Sequence, residues 1–99
     1  MIDLLVWVVY DISSNKVRRN AIKVCKNVGL YRVQKSVFLG EIEENDFDEL
    51  KLKMEDIIDL DKDSVYIFPM TKKGLNKAGL IGQVFDKELV TDEIISKFF

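Results

Sequence analysis

The chain has 99 residues, 47% hydrophobic and 32% charged with a net charge of −2, which is the balance of one folded domain and excludes a disordered chain. It contains no histidine, so Ser-His-Asp and Cys-His catalysis and any histidine-containing zinc site are excluded. No window approaches the ~20 consecutive apolar residues of a membrane span, and a start with Asp3 and no basic leader is not that of a signal peptide.

Residues Met1–Ile12, MIDLLVWVVYDI, predict a strand. With period two, Ile2, Leu4, Val6, Val8 and Tyr10 point one way, and Leu5, Trp7, Val9 and Asp11 the other. Both faces are apolar, the pattern of a central strand covered on two sides. Ser13, Ser14 and Asn15 offer caps for a helix to about Val28, whose apolar stripe is Val17, Ala21, Val24, Cys25 and Val28. Cys25 lies in that stripe as a small core residue, and a single cysteine fits a reducing cytoplasm, the expected location. Gly29 is placed to end the helix in the left-handed conformation.

Residues 30–42 are rich in β-branched and aromatic types and predict two short strands or one bent strand, with the break near Gln34–Ser36. Gly40 marks a bulge or a close approach of another backbone. A second helix is expected after Asn45 as N-cap, with Phe47, Leu50, Met54, Ile57 and Ile58 as its apolar stripe. Leu52 falls on its far side, as an exposed leucine or a contact for a partner. Asp61–Ser64 is a turn and Val65–Met70 a strand, with Pro69 placing that end at a sheet edge or a bend. Residues 71–82, with three glycines and three lysines, suggest a mobile connection. Gln83–Phe85 suggest one more short strand, and Thr91–Phe99 a helical or extended tail.

The order β-α-β-β-α-β predicts an α+β, ferredoxin-like domain over residues 1–82, an antiparallel sheet with two helices on one face, and residues 83–99 as a C-terminal extension. Two helices cover only one face, yet the first strand is apolar on both. A symmetric homodimer covers the second face by using the same patch twice.

The charge is segregated. Residues 14–35 carry Lys16, Arg18, Arg19, Lys23, Lys26, Arg32 and Lys35 with no acid, a net of +7. Residues 41–63 carry eleven acids against Lys51, Lys53 and Lys62, a net of −8. The basic block is large enough to meet a phosphate backbone. Asp11, at the end of the first strand, is either an Asx-turn or cap residue or a metal ligand. Magnesium keeps several waters and often takes only one or two carboxylates, so two Asp11 side chains near a two-fold axis would suit a hard cation and a phosphodiester.

The series VVYDIS, then KVRRNAIKVCKNVGLYRVQKSVFLGEI, resembles the N-terminal signature of the Cas-two family, small CRISPR-associated proteins of spacer acquisition. The likeness rests on Tyr10-Asp11-Ile12, Arg18, Arg19, Gly29, Arg32-Val33-Gln34 and Ser36-Val37-Phe38, and it spans nearly the whole chain. It implies a ferredoxin-like homodimer and a magnesium- or manganese-dependent endonuclease acting on RNA or double-stranded DNA. It also implies a bridge between two dimers of the Cas-one integrase. Carried over, it makes Asp11 the metal ligand and catalytic residue with Tyr10 beside it, Arg18, Arg19 and Arg32 the phosphate contacts, and Phe38 a residue that shapes the site. The segment from Gln83 onward would pair with the other subunit and offer a docking surface to the integrase. Two alternatives stand beside the nuclease: an adaptor that clamps DNA without cleaving it, and a ferredoxin-like module that senses a small ligand. Tyr10 can equally be a core tyrosine with a bonded hydroxyl, and Phe38 a core or interface residue. Adjacent Arg18 and Arg19 point about 100° apart on a helix and do not meet the same phosphate.

Overall fold

The computed structural model describes residues 3–79 and 81–82. Along them run β1 (Asp3–Asp11), α1 (Asn15–Asn27), β2 (Tyr31–Gln34), β3 (Val37–Glu43), α2 (Glu44–Ile57), β4 (Ser64–Met70) and a short α3 (Lys72–Lys77). The strands form one antiparallel sheet in the order β2-β3-β1-β4, the α+β, ferredoxin-like arrangement. The expected strand at Gln83–Phe85 and the tail to Phe99 lie outside the described residues.

β1 is paired on both sides, with β3 over Asp3–Val9 and with β4 over Leu5–Asp11. Its even-numbered face carries Val6, Val8 and Tyr10 into the main core, where Phe38, Ile42, Ala21, Cys25, Leu50 and Met54 meet them. α1 and α2 supply that layer. Ser14 caps α1 by accepting a hydrogen bond from the Val17 amide at 3.3 Å. Gly29, at φ 99°, ends α1 in the left-handed region. Gly40 is the close approach its position indicates, since a Cβ there would lie 3.0 Å from Leu30 Cδ2 and 3.1 Å from Leu30 Cα. The break between β2 and β3 falls at residues 35–36, as the sequence indicates.

Two boundaries differ from expectation. The N-cap of α2 is Glu43, not Asn45, and its side chain makes no capping hydrogen bond. β3 stays in register with β1 through the Asp3–Glu43 pair, so the ladder itself decides where the chain turns. Asn45 then falls inside the first turn, where Glu44 and Asp46 complement the helix N-terminus instead. Residues 71–82 are not merely a connection. Thr71 Oγ1 accepts from the Gly74 amide at 2.9 Å and caps α3. Leu75, 1% exposed, packs with Leu5 and Leu39 into a second core.

That second core changes the account of the odd-numbered face of β1. Leu5 is covered by the chain's own α3, and Trp7 is half-buried, its Nε1 donating to Met70 Sδ. Towards Asp11 the same face stays open, with Tyr66 61% and Phe68 44% exposed opposite Val9 and Trp7. β4 is an edge strand among the described residues, and Pro69 sits there without an amide to leave unpaired.

Glu41 is the buried acid of this layer. It pairs with Leu5 in register, is 7% exposed, and its Oε2 accepts no hydrogen bond from the described residues. Burial raises its carboxyl above the usual range; the positive field of Lys72 opposes this and the negative field of Asp3 adds to it.

Two outcomes follow from these layers. Leu75→Ala should destabilise the fold by about 2–4 kcal/mol, seen as a lower urea midpoint at unchanged m-value. Glu41, with its folded pKa raised, binds its proton more tightly folded than unfolded, so its ionisation weakens the fold as pH rises through and above the unfolded value of about 4.3. Glu41→Gln should therefore raise the thermal midpoint at pH 7, and the gain should vanish below about pH 4. A gain independent of pH would mean that desolvation of the charge is not the cause.

Candidate nucleic-acid and metal site at the end of the first strand

Strand parity separates Tyr10 from Asp11. Tyr10 points into the helix-covered core, 3% exposed, and Asp11 stands exposed on the other face, opposite Ser64 of β4. The Tyr10 hydroxyl donates to the Lys35 carbonyl at 2.8 Å, and its amide donates to the Ser36 carbonyl at 3.0 Å. Arg32 donates to the same Lys35 carbonyl at 2.8 Å while staying exposed. The turn between β2 and β3 is thus held by three hydrogen bonds, two of them from Tyr10 near the end of β1.

Phe38 is fully buried, its ring stacked 6.3 Å from that of Tyr10 with 28° between the planes. Burial pushes the Tyr10 phenol up, against the lowering field of Arg32, so the hydroxyl remains a donor at neutral pH. Tyr10 and Phe38 therefore hold the strand end in place from beneath, and neither reaches the face that Asp11 occupies.

The two adjacent arginines divide as their helical spacing requires. Arg18 folds back to donate to the Ile12 carbonyl at 2.8 Å and to Asn15 Oδ1, which ties the loop after Asp11 to the first turn of α1. Arg19 is exposed on the outer side of α1, where Lys16, Lys23 and Lys26 are exposed with it at helical spacing. Of the residues singled out in the sequence, the fold gathers Asp11, Tyr10, Phe38, Arg32 and Arg18 around one strand end. Arg19 belongs to the basic stripe beside them.

Asp63 joins this group without standing out in the sequence. Its carboxylate accepts from the Ser13 amide at 3.2 Å, from the Ser13 hydroxyl at 3.4 Å and from the Asp59 amide at 3.0 Å. The bond from the Asp59 amide is the main reason its carboxyl lies below the usual range, with Ser13 adding to it. The sequence indicates only a turn at Asp61–Ser64; nothing in its local pattern says that the turn grips a loop fifty residues earlier.

Among the described residues no three Asp, Glu or Cys side chains stand close enough to hold a metal ion together. Asp11 is therefore a single exposed carboxylate, not part of a complete cage. No described helix is long and apolar enough to cross a membrane.

The family model for CRISPR associated protein Cas2 matches residues 4–78. The chain belongs to the Cas2 family. It is 40% identical over 66 residues to a CRISPR-associated endoribonuclease Cas2 of Desulforudis audaxviator, a match covering 67% of this chain and 62% of that protein. It is 32% identical over 85 residues to a protein of the same name from Korarchaeum cryptofilum, covering 82% of this chain and 87% of that one. The crystal structure of Streptococcus pyogenes Cas2 superposes with a TM-score of 0.69 at 28% identity, covering 80% of this chain and 100% of that one. The span matched to the Cas2 family contains every site residue named above, Asp63 included.

The fastening of the β2–β3 turn can be measured. Tyr10→Phe removes one hydrogen bond from a buried ring and should cost about 1 kcal/mol. Backbone amide exchange should then quicken at residues 35–36 before it does in α2, because Arg32 alone still holds the Lys35 carbonyl.

Proposed function

We propose that this Cas2-family protein is a homodimeric nucleic-acid-binding protein of CRISPR adaptation that cleaves phosphodiester bonds with Asp11 as its metal-binding residue. One observation carries the proposal: Asp11 is an exposed carboxylate at the end of a strand fixed in the sheet, followed directly by a basic stretch that holds no acid. The names of its relatives, endoribonucleases, favour the same chemistry.

The donor set fits a hard divalent cation, Mg²⁺ or Mn²⁺, because oxygen is all that Asp11 offers and such ions are content with one or two carboxylates. A single chain gives one carboxylate, and a two-fold partner would give the second. The ion supplies, when bound, a water of lowered pKa and positive charge opposite the phosphate. The chain's own part is positional. Arg32 and Arg19 face solvent and would take phosphates of the strand, single-stranded RNA or duplex DNA. Arg18 holds the Ile12 carbonyl, and Tyr10 with Phe38 holds the strand beneath, so the Asp11 carboxylate is presented without a mobile loop. Tyr10 acts through Asp11 as a positioning residue, its hydroxyl being committed to the Lys35 carbonyl.

The half-covered face of β1 supports the homodimer, since Val9, Tyr66 and Phe68 would meet a partner there. The segment from Gln83 onward would serve the other subunit and the docking of Cas-one integrase dimers, whose DNA the basic stripe would hold. A second function, clamping DNA for the integrase without cleavage, is favoured by Asp11 standing outside any carboxylate cluster among the described residues.

Two variants separate these roles. Asp11→Asn should abolish cleavage of RNA and DNA substrates with the dimer and its nucleic-acid affinity intact; persistent cleavage would move the chemistry elsewhere. Integration by the complex reconstituted with Asp11→Asn should persist if clamping is the cellular role. Arg19→Ala should weaken duplex binding and lower the slope of log K against log salt by about one, the share of a single neutralised phosphate.

A further inference from the structure

The end of β1 is held in the sheet from one side only. The ladder with β3 stops at Val9, and the Tyr10 amide makes the last bond on that side, to the Ser36 carbonyl. Asp11 keeps a single strand partner, Ser64 of β4. The last pair of a ladder is where opening begins, and Asp11 occupies that pair. Past it, Ile12 is anchored by its side chain, 3% exposed in the main core, and by Arg18 at its carbonyl. Ser13 lies beyond the strand pairing, and what holds it is Asp63, the residue just before Ser64.

The Asp63 carboxylate divides its two oxygens. Oδ2 accepts from the Asp59 amide at 3.0 Å, while Oδ1 accepts from the Ser13 amide at 3.2 Å and the Ser13 hydroxyl at 3.4 Å. The turn has other fastenings of its own. The Asp59 carbonyl accepts from the Lys62 amide at 3.2 Å and the Asp63 amide at 2.8 Å, and Asp59 Oδ1 accepts from the Asp61 amide at 2.9 Å. A turn closed in this way does not need Oδ1 for its shape, so the bonds to Ser13 serve the other chain segment. They continue through a side chain the β1–β4 pairing that the strands leave at Asp11 and Ser64. We infer that Asp63 is a positioning residue for the Asp11 carboxylate, clamping Ser13 so that the backbone on both sides of the Asp11–Ser64 pair keeps one geometry. The inference rests on Asp11 as the metal-binding residue proposed above.

Both oxygens of Asp63 already accept bonds from the chain, so it acts on a cation through Asp11 and not as a ligand itself. What the clamp supplies is precision. A misplacement of about 1 Å at a reacting centre costs up to about 10²-fold in rate. Loosening the ladder end should therefore reach kcat, while the phosphate contacts proposed for Arg19 and Arg32, and with them KM, stay as they are.

The test uses the full-length protein and three variants: Asp63→Ala, Asp63→Asn, and Asp61→Ala as an equal change of charge in the same turn. Asp63→Ala should lower kcat for RNA cleavage at saturating Mn²⁺ by about tenfold or more, with KM within about twofold of the parent protein. It should also average the Asp11 side-chain torsion, read from three-bond couplings without metal or substrate. Asp63→Asn, whose amide oxygen still accepts from Ser13, should recover most of both. Asp61→Ala should match the parent protein, and thermal midpoints verify that every variant is folded at the assay temperature. A parent-like kcat or an ordered Asp11 side chain in Asp63→Ala would overturn the inference. So would a loss carried by KM alone, or an equal loss in Asp61→Ala. Asp11→Asn, assayed in parallel, keeps the two readings apart. Cleavage that survives in it removes the metal role of Asp11, and the Asp11 couplings then still decide whether Asp63 orders that side chain.

Discussion

The double pairing of β1 is the constraint on which the rest of the molecule depends. A strand bonded to β3 on one side and β4 on the other cannot shift by one residue without exchanging its two faces. The even face would then lose Val6 and Val8, both fully buried, and gain Trp7 and Asp11. That exchange is costly enough to fix the register. Fixing the register fixes where the strand ends and which way Asp11 points. The polar groups around it, the Lys35 carbonyl, Arg18 and Asp63, then hold the three chain segments that meet at that end.

The period of two also assigns the work. Tyr10 and Asp11 are neighbours in sequence and belong to different parts of the molecule. One is a buried donor stacked on Phe38; the other is a solvated acceptor on the open face. Placing a rigid aromatic pair directly behind an exposed carboxylate is a way to keep it still without crowding it. Arg18 and Arg19 divide in the same manner by the 100° step of a helix, one folded onto the Ile12 carbonyl and one left for solvent or ligand. In each pair the backbone geometry, not the residue type, decides which member holds the structure and which faces outward.

Much of this is legible in the sequence because it rests on local rules. The strand parity, the apolar stripes, the Ser13–Asn15 caps, Gly29 and the close approach at Gly40 each follow from a periodicity or a steric need that a few adjacent residues express. The features that are not legible are long-range or very short. Asn45 is a good cap in isolation, but the Asp3–Glu43 pairing ends the strand two residues earlier. α3 has only six residues, too few to show a stripe, and its glycine and lysines read as loop until Leu75 finds Leu5 and Leu39. Asp63 looks like any turn aspartate until its bonds to Ser13 are seen. Glu41 sits in a run of strand residues whose alternation does not say that one acid is buried.

The short α3 also sharpens the case for a dimer and connects it to the site. The sequence alone implies an entire apolar face in need of a partner, whereas the fold covers the Leu5 half with Leu75 and leaves the half nearer Asp11 open. Tyr66 and Phe68 together with Val9 form that open half, on the same face and at the same end as Asp11. A two-fold partner seated on these side chains would lie against the Asp11 end of the strand. The exposed apolar patch and the Asp11 carboxylate are then neighbours on one surface.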